Sequence, residues 1–139
     1  MINQVFLDTN VILDFLLNRK RFVKDAAKLF QLAQQNKLDI YVSATSVSAV
    51  YYIASRSTNK VNVLNALRQL LPLTKVLPVG PTTIEKALLA NFKDFEDAIQ
   101  NFCAVEGGLN SIITRDVKDF SKSRLSIQTP KEYLTMIRE

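Results

Sequence analysis

The chain contains no histidine, one cysteine and three glycines in 139 residues, and each scarcity removes a class of function. Without histidine there is neither a His-based triad nor a Cys/His zinc cluster. Any catalysis must therefore rest on carboxylates, hydroxyls, amines or a metal held through oxygen. Cys103 has no partner for an internal disulfide, and its apolar helical setting reads as that of a small buried hydrophobe, not a reactive thiol. Gly80, Gly107 and Gly108 leave no glycine-rich first turn for a P-loop or a dinucleotide fold. No stretch approaches the ~20 apolar residues of a membrane helix, and the N-terminus lacks the basic region, apolar core and cleavage site of a secretory leader. A cytoplasmic protein with no membrane contact is expected.

What is present suits one domain over residues 1–139, a length close to the usual ~100–150, and the 47% hydrophobic content supplies a core. Eighteen Lys and Arg against thirteen Asp and Glu leave a net charge of +5. That is a mild bias toward polyanions, shared with many proteins that never meet nucleic acid.

Residues 4–8, "VFLD" with its flanks, read as a short buried strand. After Asp8 the spacing of Val11, Ile12, Phe15 and Leu16 switches to the helical period. Helices are expected over 22–36, over "ATSVSAVYYIASR" with its hydroxyl-rich entry, over 60–71 up to Pro72, and over "GPTTIEKALLA", where Thr82 and Glu85 have capping-box spacing. "KDFEDAIQNFCAVEGG" is a further helix closed by its two glycines. "TPKEYLTMIR" is the last, with Thr129 as cap and Glu132 three residues on. "DIYVS", "KVLPV", "SIIT" and "LSIQ" complete five strands. Strands separated by helices imply parallel pairing, right-handed crossovers and helices on both faces. In such sheets ligands bind beyond the carboxyl ends of the strands.

Acids stand at those ends. Asp8 closes the first strand and Asp116 lies two residues past "SIIT", while Asp94 and Asp97 open the preceding helix at i, i+3 spacing. Two carboxylates ~4 Å apart repel by about 4 kcal/mol at an effective dielectric near 20, so a cluster needs raised pKa values or a cation. Magnesium or manganese suits such oxygen donors and can activate a water against a phosphodiester. Each acid also has a purely structural reading. Asp8 or Asn10 would cap the first helix, Asp94 the later one, and Asp97 would favour the helix dipole. Asp116 and Asp119 would be turn residues, and Asp14 would face solvent or its own helix.

Taken in order, "FLDTNVILDFLL", "DFEDAIQNFCAVEGGLNSIITRDVKDF" and "TPKEYL" resemble the PIN domain family over nearly the whole chain. That resemblance implies a three-layer α/β/α sandwich with a central parallel sheet of roughly five strands. It also implies acids that bind Mg2+ or Mn2+ for cleavage of single-stranded RNA. Many similar bacterial members are VapC-type toxins neutralised by a small antitoxin, and many are homodimers. By position, Asp8, Asp97 and Asp116 match the catalytic metal acids, Asp94 is a candidate extra acid, and Thr9, Asn10 and Thr114 match polar residues that orient ligands or water.

One departure stands out. The family usually carries a glutamate early in the third helix, where this chain has Ala49, and no carboxylate occurs between Asp39 and Glu85. Two readings follow: Asp8, Asp97 and Asp116 still hold one ion, with Ser46 or Ser48 contacting a water in the glutamate's place, or cleavage is weakened and an RNA-binding or protein-interaction role remains. Candidate phosphate contacts lie in "NRKRFVK", with Arg19, Lys20 and Arg21, and in the group Arg115, Lys118, Lys122 and Arg124. Either kind of patch is more often a solvated face. A haloacid-dehalogenase-like phosphatase would need a second aspartate where Asn10 stands.

Overall fold

The computed structural model describes residues 2–138. Strand β1 (Asn3–Leu7) runs into helix α1 (Thr9–Leu16), and α2 (Val23–Gln34) leads to β2 (Leu38–Ser43). Helices α3 (Ala44–Ser57) and α4 (Lys60–Leu70) precede β3 (Thr74–Leu77); α5 (Pro81–Leu89) and α6 (Phe95–Glu106) precede β4 (Ser111–Ile113). The short β5 (Ser126–Gln128) and α7 (Pro130–Met136) follow.

The strands form one sheet in the order β3-β2-β1-β4-β5, with every pairing among the described residues parallel. A parallel pair cannot be closed by a tight hairpin, so each connection crosses a face of the sheet. The period of two along β1 then divides the core. Val5 and Leu7 pack with residues of α1, α2, α3, α4 and α7, whereas Phe6 turns the other way to Cys103 and Ala104 of α6 and to Phe120. Ile112 and Ile113 on β4 split in the same manner. Helices on both faces of a central sheet make the three-layer α/β/α sandwich expected from the sequence.

Strand order reverses at β1: β2 and β3 lie to one side, β4 and β5 to the other. Open α/β sheets bind ligands at such a switch point. Here the register sets Phe6 opposite Ile112 and Leu7 opposite Ile113, so the next residues, Asp8 and Thr114, emerge side by side.

Two terminal details differ from expectation. Thr82 and Glu85 do not cap α5, because Pro81 already occupies its first position, where a fixed φ and a missing N–H cost nothing. Gly80 is the cap residue, and Thr83 Oγ1 accepts its N–H at 3.2 Å while donating to Glu106 at 2.5 Å. That bond ties the start of α5 to the end of α6. Pro72 does not simply stop α4 but sits in a 3-10 turn, Leu71–Leu73, that leads into β3. The Thr129–Glu132 capping box forms as read, and Gly108 takes φ +75° just past α6, a conformation glycine adopts without strain.

Candidate active site

Asp8 answers whether the polar end of "VFLDTN" is a cap or a site. It holds the N-cap position of α1, yet its side chain makes no capping hydrogen bond. The carboxylate turns instead across the β1–β4 seam, where Thr114 Oγ1 donates to Asp8 Oδ2 at 2.7 Å. The same Thr114 oxygen accepts the Asp116 N–H at 3.0 Å, and Asp116 Oδ2 accepts Asn10 Nδ2–H at 3.3 Å. Asp8 and Thr114 are buried and Asp116 is half-buried.

The second half of the site comes from α6. Asp94 caps that helix, its Oδ1 accepting the Asp97 N–H at 3.1 Å, so the structural reading of Asp94 holds whatever else it does. Asp97, in the first turn, accepts Gln100 Nε2–H at 3.4 Å. Sequence reasoning missed Gln100. Its Oε1 accepts the Thr9 N–H at 3.1 Å and the Ser46 hydroxyl at 3.4 Å, while Thr9 Oγ1 donates to Ser46 Oγ at 2.9 Å. One buried amide thus joins the starts of α1 and α3 to α6. Its only sequence signal was i, i+3 spacing from Asp97.

These placements gather negative charge. The Asp97 carboxyl is pushed up to about 7, first by burial and then by Asp8, Asp94, Asp119 and Asp116. Burial also raises Asp8; hydrogen bonds from Thr114 and Gln100 oppose the rise, and Asp116 adds to it. The group is graded, with Asp8 buried, Asp97 and Asp116 half-buried, and Asp94 and Asp119 exposed. Asp119, read as a plain turn residue, is near enough to act on Asp97.

Two arginines near this cluster, Arg19 and Arg115, are engaged elsewhere. Asp14 does not face solvent: it is 2% exposed and accepts Arg19 Nη1–H at 3.1 Å and Arg115 Nε–H at 2.9 Å. Helix α1 is packed against both α2 and α3, and residues Val11 to Asp14 are all buried, so a charge at position 14 needs internal partners. Arg19 and Arg115, expected as phosphate contacts, supply them, and the Arg115 guanidinium lies 4.2 Å from the Phe22 ring centroid. Lys20, Arg21 and Lys118 remain exposed. Ser48 is also exposed, and it is Ser46 that enters the polar network.

The donors are oxygens only, buried and crowded enough to raise Asp97 to about 7, and among the described residues none of Asp8, Asp94, Asp97 and Asp116 is in a salt bridge. That chemistry fits a hard divalent cation. Among the described residues, however, no three acids stand at the spacing of a ready-made metal cage. The two findings are compatible, because carboxylates influence one another beyond ligand distance and magnesium retains several waters. Grooves of about 510 and 530 Å³ lie away from the acids, between α2 and α7 and between α1 and the α3–α4 pair.

Known proteins share this arrangement of elements. A PIN domain family model matches residues 4–118. The chain is 29% identical to ribonuclease VapC1 of Aquifex aeolicus over 135 residues, covering 94% of this chain and 92% of that protein. Among solved structures, DNA-bound VapBC from Salmonella typhimurium superposes with a TM-score of 0.71 at 16% identity, covering 94% of this chain and 99% of that one. A toxin-antitoxin complex from Klebsiella pneumoniae gives 0.66 at 22% identity, with 91% and 97% covered. With its model matched over most of the length and its sheet order, layers and terminal acids in place, the chain belongs to the PIN domain family.

Proposed function

We propose that this protein is an endoribonuclease that uses Mg2+ or Mn2+ to hydrolyse phosphodiester bonds in single-stranded RNA, and that it is the toxin of a toxin–antitoxin pair. The observation that carries the reading is the group of aspartates at the sheet's switch point, where burial first and the neighbouring carboxylates second lift Asp97 to about 7, with no salt bridge to these acids among the described residues. The name of the VapC1 relative supports the ribonuclease assignment. The Klebsiella complex supports a small antitoxin as partner.

In this reading Asp8, Asp97 and Asp116 bind the ion and Asp94 adds charge at the rim. When bound, the ion would lower the pKa of a water and stabilise the leaving oxygen. The chain's own part is to hold the carboxylates still. Thr114 fixes Asp8, Asn10 fixes Asp116, and Gln100 fixes Asp97 while buttressing Thr9 and Ser46. Ala49 removes one acid from the family pattern, and the neutral Ser46–Gln100 pair is the polar group that α3 contributes through Ser46. Exposed Lys20, Arg21 and Lys118 are left to meet RNA phosphates, weakly and without sequence preference. A homodimer in the cytoplasm is part of the same proposal.

Incubation with unstructured RNAs in Mg2+ or Mn2+ tests it. Cleavage that stops with EDTA and is lost in Asp116→Asn is expected. A broad RNA panel left intact by pure protein in either metal would overturn the assignment.

A further inference from the structure

We infer that Asp14 and Arg115 form a positioning latch that sets the place of Asp116 relative to Asp8. Three successive residues past the end of β4 are each gripped by the segment that opens α1. Thr114 is bonded to Asp8 at 2.7 Å, Arg115 to Asp14 at 2.9 Å, and Asp116 to Asn10 at 3.3 Å. Asn10 and Asp14 are one helical turn apart and share a face, so α1 presents a two-point grip to the chain at 115–116.

The middle grip is the firmest. Asp14 is 2% exposed, and each of its oxygens has its own arginine, Oδ1 with Arg19 and Oδ2 with Arg115. The Arg115 guanidinium also rests on the Phe22 ring. A flat, forked cation held at its edge and on its face has little freedom to shift. Successive Cα atoms are only ~3.8 Å apart, so fixing the Arg115 side chain restrains the peptides on both sides of it. One of these carries the Asp116 N–H to Thr114 Oγ1 at 3.0 Å. By contrast Arg19 approaches the same Asp14 from the loop after α1, with no covalent neighbour among the acids.

The effect of the latch on chemistry rests on the proposed metal site, but the latch itself can be measured without metal. Arg115→Met keeps the stem over Phe22 and leaves Asp14 paired with Arg19; Arg115→Lys keeps a cation beside Asp14 and guards against a failure to fold. Arg19→Met is the control, since it removes the other ion pair of the same carboxylate. In metal-free full-length protein, amide hydrogen exchange at Asp116 should quicken about tenfold in Arg115→Met, less in Arg115→Lys, and stay as wild type in Arg19→Met. Mn2+ affinity should fall about tenfold in the Arg115 variants, with kcat lowered, KM for RNA unchanged, and little change in Arg19→Met. Unchanged exchange at Asp116 in both Arg115 variants would overturn the latch, as would equal effects from the Arg19 and Arg115 substitutions. A raised KM with intact kcat would also overturn it, by showing that Arg115 meets RNA. If wild type itself binds no Mn2+, the metal-site reading fails, and the exchange rates alone decide the latch.

Discussion

Thr114 holds Asp8 from the neighbouring strand: its hydroxyl donates a 2.7 Å hydrogen bond to Asp8 Oδ2, and both side chains are buried. Hydrogen bonds to charged groups contribute about 1.5–3 kcal/mol. Thr114→Val keeps the shape and removes the donor, so it should cost about 2 kcal/mol in urea denaturation and lower the cleavage rate, whereas Thr114→Ser should stay close to wild type. Equal stability of the Val and Ser variants would show that the bond contributes nothing.

The crowding at Asp97 has a pH signature. Its carboxyl stands at about 7 in the folded chain against an ordinary 3.8. A carboxyl raised by folding binds a proton that the unfolded chain releases, so its contribution to stability is complete below about pH 4 and is lost as pH rises through about 7. In EDTA the wild type should therefore lose stability relative to Asp97→Asn across that window. Solvent at this half-exposed position limits the difference to about 1 kcal/mol. Melting curves of both proteins from pH 4 to 8 check it; parallel curves would mean that folding does not raise the Asp97 carboxyl.

Gln100→Leu tests the buried amide. It leaves the buried Thr9 N–H without its acceptor, while the Ser46 hydroxyl keeps Ser43 Oγ at 2.8 Å, and an orphaned buried group costs about 1–3 kcal/mol. A loss of about 2 kcal/mol in chemical denaturation is expected, together with slower cleavage because Asp97 loses its donor. Wild-type stability in this variant would place water, not Gln100, at the centre of the network.

Much of this was legible in the sequence for definite reasons. The short apolar run ending in Asp8, the Asp94–Asp97 pair and the "IITRD" segment are local patterns, and parallel pairing follows from alternating strand and helix. What escaped was non-local. Asp14 reads as a solvent-facing residue because its two arginines lie five and about a hundred residues away, and only the packing of α1 between neighbours shows that water is excluded. Gln100 was not singled out, since its partners Thr9 and Ser46 are 91 and 54 residues distant. The α5 cap was misread because Thr82 has the right spacing but Pro81 starts the helix before it.

The missing glutamate can be restored. Ser46 reaches into the network from α3, and Ala49 follows it at i+3 on the same face. Ala49→Glu should add a ligand and a charge, tightening Mn2+ by about tenfold and lowering the melting temperature in EDTA. No change in either quantity would indicate that position 49 points away from the acids.

The central claim is that Asp8, Asp97 and Asp116 share one divalent ion, and calorimetric titration of Mn2+ into wild type and Asp97→Asn addresses it most directly. The account predicts saturable heat in the wild type and its loss in the variant. Matching heats from the two proteins, or none from either at millimolar Mn2+, would contradict it.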